Sequence, residues 1–329
     1  KPRLTRTMAL AALLASAAYT FAPFHLLNVY VRGDSLSEFY AMALYPVILC
    51  ALLRLEQHPS ARNVALAAIS YALLMLTHNI SALIFSPLLA LALLLRAARL
   101  RGRSPWPTLG YGLGALALGL LLSVWFWLPA LREQSLVQLQ DQTTGYFNYA
   151  GHFRSADLVQ MRIWHDYTID AHQNPFSMGL WQAILALVGF LALVVRLLRR
   201  DKIEPFQGLA LLALVIYTWL ITPASRWVWD HLPLLPMAQF PWRLLSVQAL
   251  AVSLLSSHIP AALPPRERLA PSLAAVALAV AAGLVGLRPD RLPLQEADVS
   301  PERLMFYETF SGNIGSTVRH EYLPREMVP

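Results

Sequence analysis

Nine apolar runs alternate with polar segments along this chain, and each run is nearly free of Asp, Glu, Lys and Arg. The runs cover 8–24, 39–53, 63–77, 80–95, 106–128, 179–198, 206–222, 241–258 and 272–287. A charge at the centre of a membrane helix costs about 2.5–3.5 kcal/mol, so charge-free runs are typical of membrane spans. The pattern predicts an all-α fold, a polytopic transmembrane helical bundle of about nine spans.

The third and fourth runs could be mistaken for one helix, because apolar residues continue from 63 to 95. We instead predict a turn at Thr77-His78-Asn79, since a single helix would reverse the charge bias described below. Each run then measures roughly 23 Å, against a hydrocarbon core of about 30 Å, so we expect the turn to lie recessed in the membrane. Irregular backbone at that depth lines a cleft or is buried in protein, which makes His78 and Asn79 candidate substrate-binding residues. The alternative is a helix-cap pair.

Basic residues concentrate on every second connection between the runs. The segments on that side hold 15 of the 26 Lys and Arg residues but four of the 19 Asp and Glu residues. Because Lys and Arg in short loops stay on the cytoplasmic side, we expect the N-terminus and the short basic loops inside the cell and the long connections outside. This predicts a multi-pass protein of the plasma membrane, and it accounts for the net charge of +7 without a nucleic-acid partner.

Composition supports the membrane interpretation, because 57% of the residues are hydrophobic and 14% are charged, against about 25% charged in soluble domains. The single cysteine, Cys50, lies within the second run and offers neither a disulfide nor a cysteine metal site. We predict a transmembrane domain over 1–287, which includes an extracytoplasmic loop at 131–178, and an extracytoplasmic tail over 288–329. A chain that opens on Lys1 suggests an excerpt of a longer protein, in which the tail begins a further domain.

The loop at 131–178 is too polar for lipid and too long for a passive connector, and its aromatic content favours a folded cap. Two acids and two imidazoles fall within eight residues of this loop, and they could bind a divalent cation through carboxylate oxygens and ring nitrogens. These weak metal candidates are His165, Asp166, Asp170 and His172. Their spacing matches no defined metal motif, and a solvated loop surface would look the same, so the cofactor stays unknown.

The first outer loop places Arg32, Asp34 and Glu38 at the mouth of the bundle. A guanidinium fork matches two phosphate oxygens, so Arg32 is a candidate phosphate-binding residue. Asp34 and Glu38 are candidate catalytic acids, either as a base or as a metal ligand. The structural alternative is that both carboxylates stabilise the N-terminus of the following helix by capping and by the helix dipole.

The connection between the seventh and eighth runs is rich in aromatic residues and proline. We predict that Trp227, Trp229 and Trp242 anchor the chain at the membrane interface. Arg243 follows Pro241, a residue suited to the first turn of a helix, so its charge is placed at the outer surface for an anionic lipid head group. Simple snorkelling of Arg243 to the interface is the alternative.

Four segments carry a family resemblance: Tyr30-Val31-Arg32-Gly33 with Glu38-Phe39, Thr77-His78-Asn79-Ile80, Gln239-Phe240-Pro241-Trp242-Arg243 and Glu321-Tyr322-Leu323-Pro324-Arg325. They resemble the bacterial membrane domain named "6-pyruvoyl-tetrahydropterin synthase related". Genuine pterin synthases are small soluble enzymes with a three-histidine zinc site and a catalytic cysteine. This sequence offers no suitable histidine triad and only the membrane-embedded Cys50, so we expect no pterin chemistry.

The resemblance implies kinship with the GT-C class of glycosyltransferases, multi-spanning enzymes that take a sugar from a polyprenyl phosphate donor at the outer membrane face. Enzymes of that class usually carry the catalytic acid in the first outer loop, which points to Asp34. If the chain is an excerpt, that acid would lie upstream of Lys1. Sugar transfer also needs a cation or arginine to steady the departing phosphate.

The leading hypothesis is therefore a GT-C-like membrane protein that transfers sugar from a polyprenyl-phosphate donor at the outer face, for cell-envelope polysaccharide or glycolipid. One alternative is a flippase or transporter for a lipid-linked glycan, which would need polar residues along a path through the membrane. Such residues are scarce in the runs beyond Ser70, Ser86, Gln182 and Gln248. The other alternative is a noncatalytic membrane scaffold.

Overall fold

All nine predicted runs are helical over most of their length in the computed structural model. The structure describes residues 5–33, 35–98, 106–138, 143–170, 174–201, 203, 205–289, 293–311 and 324–326. Within these residues the strands are β1 (Val159–Gln160) and β2 (Met178–Gly179), which pair in parallel. The all-α class predicted from the sequence is confirmed.

The helices fall into two groups by position in the chain. The first group is α1 (Arg6–Thr20), α2 (Pro23–Tyr30), α3 (Leu36–Gln57), α4 (Ala61–Thr77), α5 (Asn79–Ala98), α6 (Trp106–Leu122) and α7 (Val124–Glu133). The second group is α8 (Leu180–Leu198), α9 (Pro205–Leu220), α10 (Arg226–His231), α11 (Leu245–Ser256), α12 (Ile259–Ala262), α13 (Leu269–Leu284) and α14 (Pro301–Ser311).

Five helical segments of the described chain are long and apolar enough to cross a membrane, and two sharply bent pairs raise the number to seven. The five are Arg6–Tyr30, Leu36–Gln57, Asn79–Ala98, Leu180–Leu198 and Pro241–Ala262. The bent pairs are α6 with α7, at 66°, and α9 with α10, at 91°. Helices α4 and α13 have 17 and 16 residues, or about 24–26 Å, which is short of a full hydrocarbon core. The structure therefore supports five to seven spans, and the predicted nine remain an expectation.

The predicted turn between the third and fourth runs is present. Helix α4 ends at Thr77, and His78 has extended backbone angles (φ −159°, ψ 102°) before α5 begins at Asn79. Two separate helices form because a residue in this conformation interrupts the helical path. The break brings His78 to the end of the bundle where α3 begins.

Helix α11 forms the centre of the bundle, and every one of its residues except Leu254 is buried. Helices α1, α8 and α9 pack around it. Gly189 of α8 lies so close to α11 that a Cβ atom there would approach the carbonyl oxygen of Leu255 to 2.7 Å. Close contact at small residues is the usual way in which membrane helices gain packing energy without a hydrophobic driving force.

The segment between α7 and α8 folds into a cap built from short turns and the β1–β2 pair. Its backbone is joined to the bundle by hydrogen bonds from the N–H of Arg154 to the oxygen of Ile221 (2.9 Å) and from the N–H of His165 to that of Ala282 (3.0 Å). At the start of the cap, the N–H of Arg325 donates to the oxygen of Leu136. The cap thus docks over the ends of α9 and α13.

A labelling experiment tests the predicted orientation. In a Cys50→Ala background, Ala156→Cys in the cap should react with a membrane-impermeant maleimide in intact cells, because we expect the basic loops at the opposite end to stay in the cytoplasm. Ala61→Cys, at the exposed start of α4 at that opposite end, should react only after permeabilisation. The reverse pattern would invert the orientation, and the matched exposure of the two sites controls for reactivity.

Candidate functional site

Four of the predicted site residues meet at the cap end of the bundle. Arg32 follows α2, Glu38 lies in the first turn of α3, His78 separates α4 from α5, and Arg243 lies in the short turn before α11. We call these four residues the charge cluster. They come from distant parts of the chain, and the helix packing brings them together.

Glu38 is the shared partner of both arginines. Its Oε2 atom lies 2.5 Å from Nη1 of Arg32 and 3.5 Å from Nε of Arg243. The Glu38 side chain is 1% exposed, and those of Arg32 and Arg243 are 15% and 8% exposed. The predicted alternative of simple snorkelling is wrong for Arg243, because its guanidinium turns inward to a buried carboxylate.

A tight reversal after α2 sets the position of Arg32. Gly33 has a φ of +39°, a conformation that glycine adopts without steric cost, and it turns the chain from α2 toward α3. Buried Asn28, one helical turn before Arg32, accepts a hydrogen bond from Nη1 of Arg32 at 2.7 Å. Asn28 in turn donates to the oxygen of Phe24 at 2.8 Å, so its orientation is fixed. The sequence offered one signal for Asn28, a polar residue four positions from an arginine on a helix.

A strained turn holds Arg243. Gln239 has a φ of +62°, and the N–H of Phe240 donates to the oxygen of Ala238 at 2.6 Å, which closes a γ-turn. Such backbone costs of order 1–3 kcal/mol and persists only where surrounding contacts enforce it. Here Nη1 of Arg243 donates to the oxygen of Ala238 (3.0 Å) and to Oε1 of Gln239 (3.1 Å). The strained turn and the arginine therefore stabilise one another.

Aromatic rings cover both guanidinium groups. Arg32 lies over the ring of Trp242 and Arg243 over that of Phe240, each 5.1 Å from the ring centroid. Phe240 and Trp242 stack on each other at 4.7 Å, and Phe176 of the cap stacks on Trp242 at 4.0 Å. Cation–π contact strengthens as water is excluded, so this ring stack favours charged arginines in a partly dry site.

The charge cluster carries an excess of cation. Among the described residues it contains two guanidinium groups and one carboxylate, and Oε1 of Glu38 has no hydrogen-bond partner there. Arginine pairs with carboxylate or phosphate through two parallel bonds, so an anion can complete the charge balance. Asp34, the other predicted acid, lies outside the described residues.

His78 and Asn79 form hydrogen bonds at the break between α4 and α5. Nδ1 of His78 accepts from the N–H of Ser81 at 3.2 Å and lies 2.8 Å from its hydroxyl, and Oδ1 of Asn79 accepts from the N–H of Ile80. This is the helix-cap arrangement named as the alternative. His78 is half-buried and interacts electrostatically with Glu38, whereas the Asn79 side chain is exposed.

The metal candidates point to different partners. Nε2 of His165 faces the oxygen of Pro175 at 3.2 Å, while Asp166 forms an ion pair with Arg162. His172 lies outside the described residues, and Asp170 is the fourth candidate. Over the part of the chain that the structure describes, no three His, Cys, Asp or Glu residues lie close enough to hold a metal ion. A divalent cation site stays a prediction.

The tryptophans predicted as interface anchors differ in exposure. Trp227 is 69% exposed, and its role as an interface anchor stays a prediction. The prediction is wrong for Trp229 and Trp242, which are buried, because Trp229 stacks on Tyr149 of the cap and Trp242 belongs to the ring stack of the charge cluster. The sequence does not place the cap that covers these two residues.

An apolar groove is lined in part by the residue that follows Arg243. It has a volume of about 520 Å³ and lies between α5, α9 and the segment 232–235. Its walls include Leu83, Pro87 and Ile216, and Leu244, the residue after Arg243, also lines it. The hydroxyl of Tyr217 is satisfied by the oxygen of Ile84 at 2.6 Å, so the groove presents hydrocarbon. Its shape and chemistry suit an extended apolar chain.

Membrane-length helices, a buried arginine pair and an adjoining apolar groove define a polytopic membrane protein that contacts lipids. Residues 3–291 match the family described as "6-pyruvoyl-tetrahydropterin synthase related domain; membrane protein", and the chain belongs to this family. The family resemblance drawn from the sequence is confirmed. Comparisons with curated proteins and with solved structures find no match to the chain.

Glu38→Gln tests whether the charge cluster is paired as described. The substitution leaves two buried guanidinium groups without their anion, so it should lower the free energy of unfolding by about 3–5 kcal/mol. Unfolding by SDS titration in mixed micelles measures the change. The exposed Glu133→Gln, at the same end, is the control, and the double variant Glu38→Gln/Arg32→Gln should recover part of the loss. Wild-type stability in Glu38→Gln would contradict the pairing.

The docked cap should loosen in mild acid. Burial lowers the pKa of His165 to about 4, although its bond to the Pro175 oxygen opposes this shift. The unfolded chain binds a proton near pH 6.5, so the stability contributed by neutral His165 is complete above about pH 6.5 and declines toward about pH 4. The melting temperature should therefore fall between about pH 7 and about pH 5. His165→Gln should make the melting temperature less dependent on pH over this range, whereas the exposed control His58→Gln should leave the pH dependence unchanged. If His165→Gln also left it unchanged, His165 would be excluded as the cause.

Proposed function

We propose that this chain binds a polyprenyl-phosphate sugar from the outer leaflet of the plasma membrane and transfers the sugar, as GT-C glycosyltransferases do. The observation that carries the proposal is the buried arginine pair together with an apolar groove between membrane helices that Leu244, the residue after Arg243, helps to line. An anionic head joined to a long hydrocarbon chain is the ligand chemistry that both features require. The N-terminus then lies in the cytoplasm.

The head group binds at Arg32 and Arg243. Both guanidinium groups are largely removed from water, where charge-assisted bonds to a phosphate are stronger than at an exposed surface. Glu38 lies between them and fixes their spacing before the ligand arrives. Preorganised cations of this kind stabilise the charge that develops on a departing phosphate.

The hydrocarbon chain lies in the groove between α5 and α9. Leu244, which lines the groove, follows Arg243 directly, so the proposal places the phosphate at the arginine and the chain in the groove. The groove walls thus add hydrophobic contact to the ionic contact at the head.

Sugar transfer needs one proton acceptor. In the proposed step the oxygen of the acceptor hydroxyl attacks C1 of the sugar, the bond from C1 to the phosphate oxygen breaks, and the phosphate leaves with the electron pair. A carboxylate takes the hydroxyl proton. Asp34 is the first candidate for this base, because Glu38 is already engaged by two arginines. We assign Glu38 as a positioning residue unless Asp34 proves dispensable.

Binding of undecaprenyl phosphate to the purified chain tests the lipid site. Arg32→Gln and Arg243→Gln should each weaken binding roughly tenfold or more, since a hydrogen bond to a charged group contributes about 1.5–3 kcal/mol. Ile216→Trp should fill the groove and weaken binding of this long lipid while changing that of geranyl phosphate little. Microscale thermophoresis measures each affinity.

Exposed residues provide matched controls. Arg226→Gln removes an arginine near α10, and Val215→Trp adds the same bulk on the lipid-facing side of α9. Both should bind like the wild type. Unchanged affinity in the double variant Arg32→Gln/Arg243→Gln would overturn the head-group site.

Release of sugar from a radiolabelled polyprenyl-phosphate hexose tests the transfer step. Asp34→Asn should lose this release and retain binding of the lipid. If the wild type bound the lipid without transferring the sugar, a carrier or scaffold would be favoured.

A further inference from the structure

A second and larger groove lies at the cap end of the bundle. It has a volume of about 1250 Å³ and is bounded by the end of α2, the cap segment 162–169 and the residues after α13. Its size exceeds that of most small-molecule pockets, which are roughly 300–1,000 Å³. Neither Arg32 nor Arg243 is among its lining residues, and nothing in the proposed sugar transfer uses it.

Part of the lining of this groove is apolar and comes from the ends of two apolar helices. Leu26 and Val29 of α2 and Val285 at the end of α13 form this part, and Val29 and Val285 are 44% and 56% exposed. Apolar side chains exposed at the end of a membrane helix face lipid. The cap adds Ile163 and Trp164, which are also exposed, so hydrocarbon is enclosed from two sides.

Another part of the groove lining is charged. The described residues lining it include Arg162, Asp166 and Arg288, and Asp166 pairs with Arg162. One positive charge therefore remains without a paired carboxylate in the described lining. Trp164 also lines the groove, and amphipathic aromatic rings of this kind favour the membrane interface.

The walls of the groove are held together before any ligand binds. The hydroxyl of Tyr30 accepts from the N–H of Arg288 at 2.6 Å, and the rings of Tyr30 and Tyr167 meet edge to face at 5.7 Å. Gly286 packs so tightly on the cap that a Cβ atom would overlap the carbonyl oxygen of His165. The α13 end and the cap thus form one rigid wall.

We propose that this groove holds a bilayer lipid with an anionic head group. Its chain lies along Leu26, Val29 and Val285, and its head lies against Arg162 and Arg288. We choose this occupant because the apolar lining residues match an acyl chain and the arginines match an anionic head group. The inference depends on the fold and the membrane setting, and it holds whether or not the charge cluster transfers sugar.

Photo-crosslinking tests this lipid site. The full chain is reconstituted in phosphatidylcholine vesicles that contain a minor fraction of phosphatidylglycerol carrying an acyl-chain diazirine, and labelled peptides are mapped by mass spectrometry. Labels should appear on the peptides that contain Val29 and Val285. Arg162→Gln and Arg288→Gln should each reduce this labelling roughly fivefold, from the usual strength of a basic residue at an anionic membrane surface.

The controls separate a specific lipid site from general contact with the bilayer. Arg226→Gln should label like the wild type, and a diazirine phosphatidylcholine should label Val29 and Val285 weakly and equally in all variants. Equal labelling by the two lipids, full labelling in Arg162→Gln/Arg288→Gln, or no label at these peptides would each overturn the proposal. Because this readout involves no sugar, its failure is distinct from failure of the proposed transfer.

Discussion

A carboxylate buried at the end of a helical bundle is stable only where cations compensate it, because taking an ion out of water costs several kcal/mol. Glu38 meets this requirement through Arg32 and Arg243. These residues come from the end of α2, the start of α3 and the turn before α11, so one ionic contact joins segments from opposite ends of the chain. The position of the central helix α11 relative to α3 therefore depends on this contact.

The same contact couples the cap to the bundle. Arg32 lies over Trp242, and Trp242 stacks on Phe176 of the cap. Any shift of the cap would alter the ring environment of an arginine that is paired with Glu38. The strained γ-turn at Gln239 belongs to the same set of contacts, because it positions the Arg243 side chain. Backbone strain of this kind persists where surrounding contacts enforce it. A ligand phosphate at the arginines and a movement of the cap would thus influence each other.

The sequence predicted helices well because spans must be apolar throughout, whereas soluble proteins allow more varied patterns. It also selected Arg32, Glu38, His78 and Arg243 as candidates, because polar residues at the ends of apolar runs are few, and the structure brings these four together. It did not reveal that Glu38 pairs with both arginines, since that pairing depends on how α3 and α11 pack. Trp229 and Trp242 were misassigned for a similar reason: burial by a cap made of irregular turns leaves no periodic signal. Asn28 was missed because one polar residue within an apolar helix is compatible with many roles.

Charge balance distinguishes the charge cluster from the ion pairs at the opposite end. There Arg96 pairs with Glu56, and Arg196 with Asp201 and with Nδ1 of His258. Each of those arginines faces one carboxylate, so the pairs are electrically complete and serve to hold helix ends together. At the cap end two arginines share a single described carboxylate and lie over aromatic rings, and the residue after Arg243 lines an apolar groove. A buried pair of cations gains from an additional anion, and in a membrane the anions at hand are lipid phosphates.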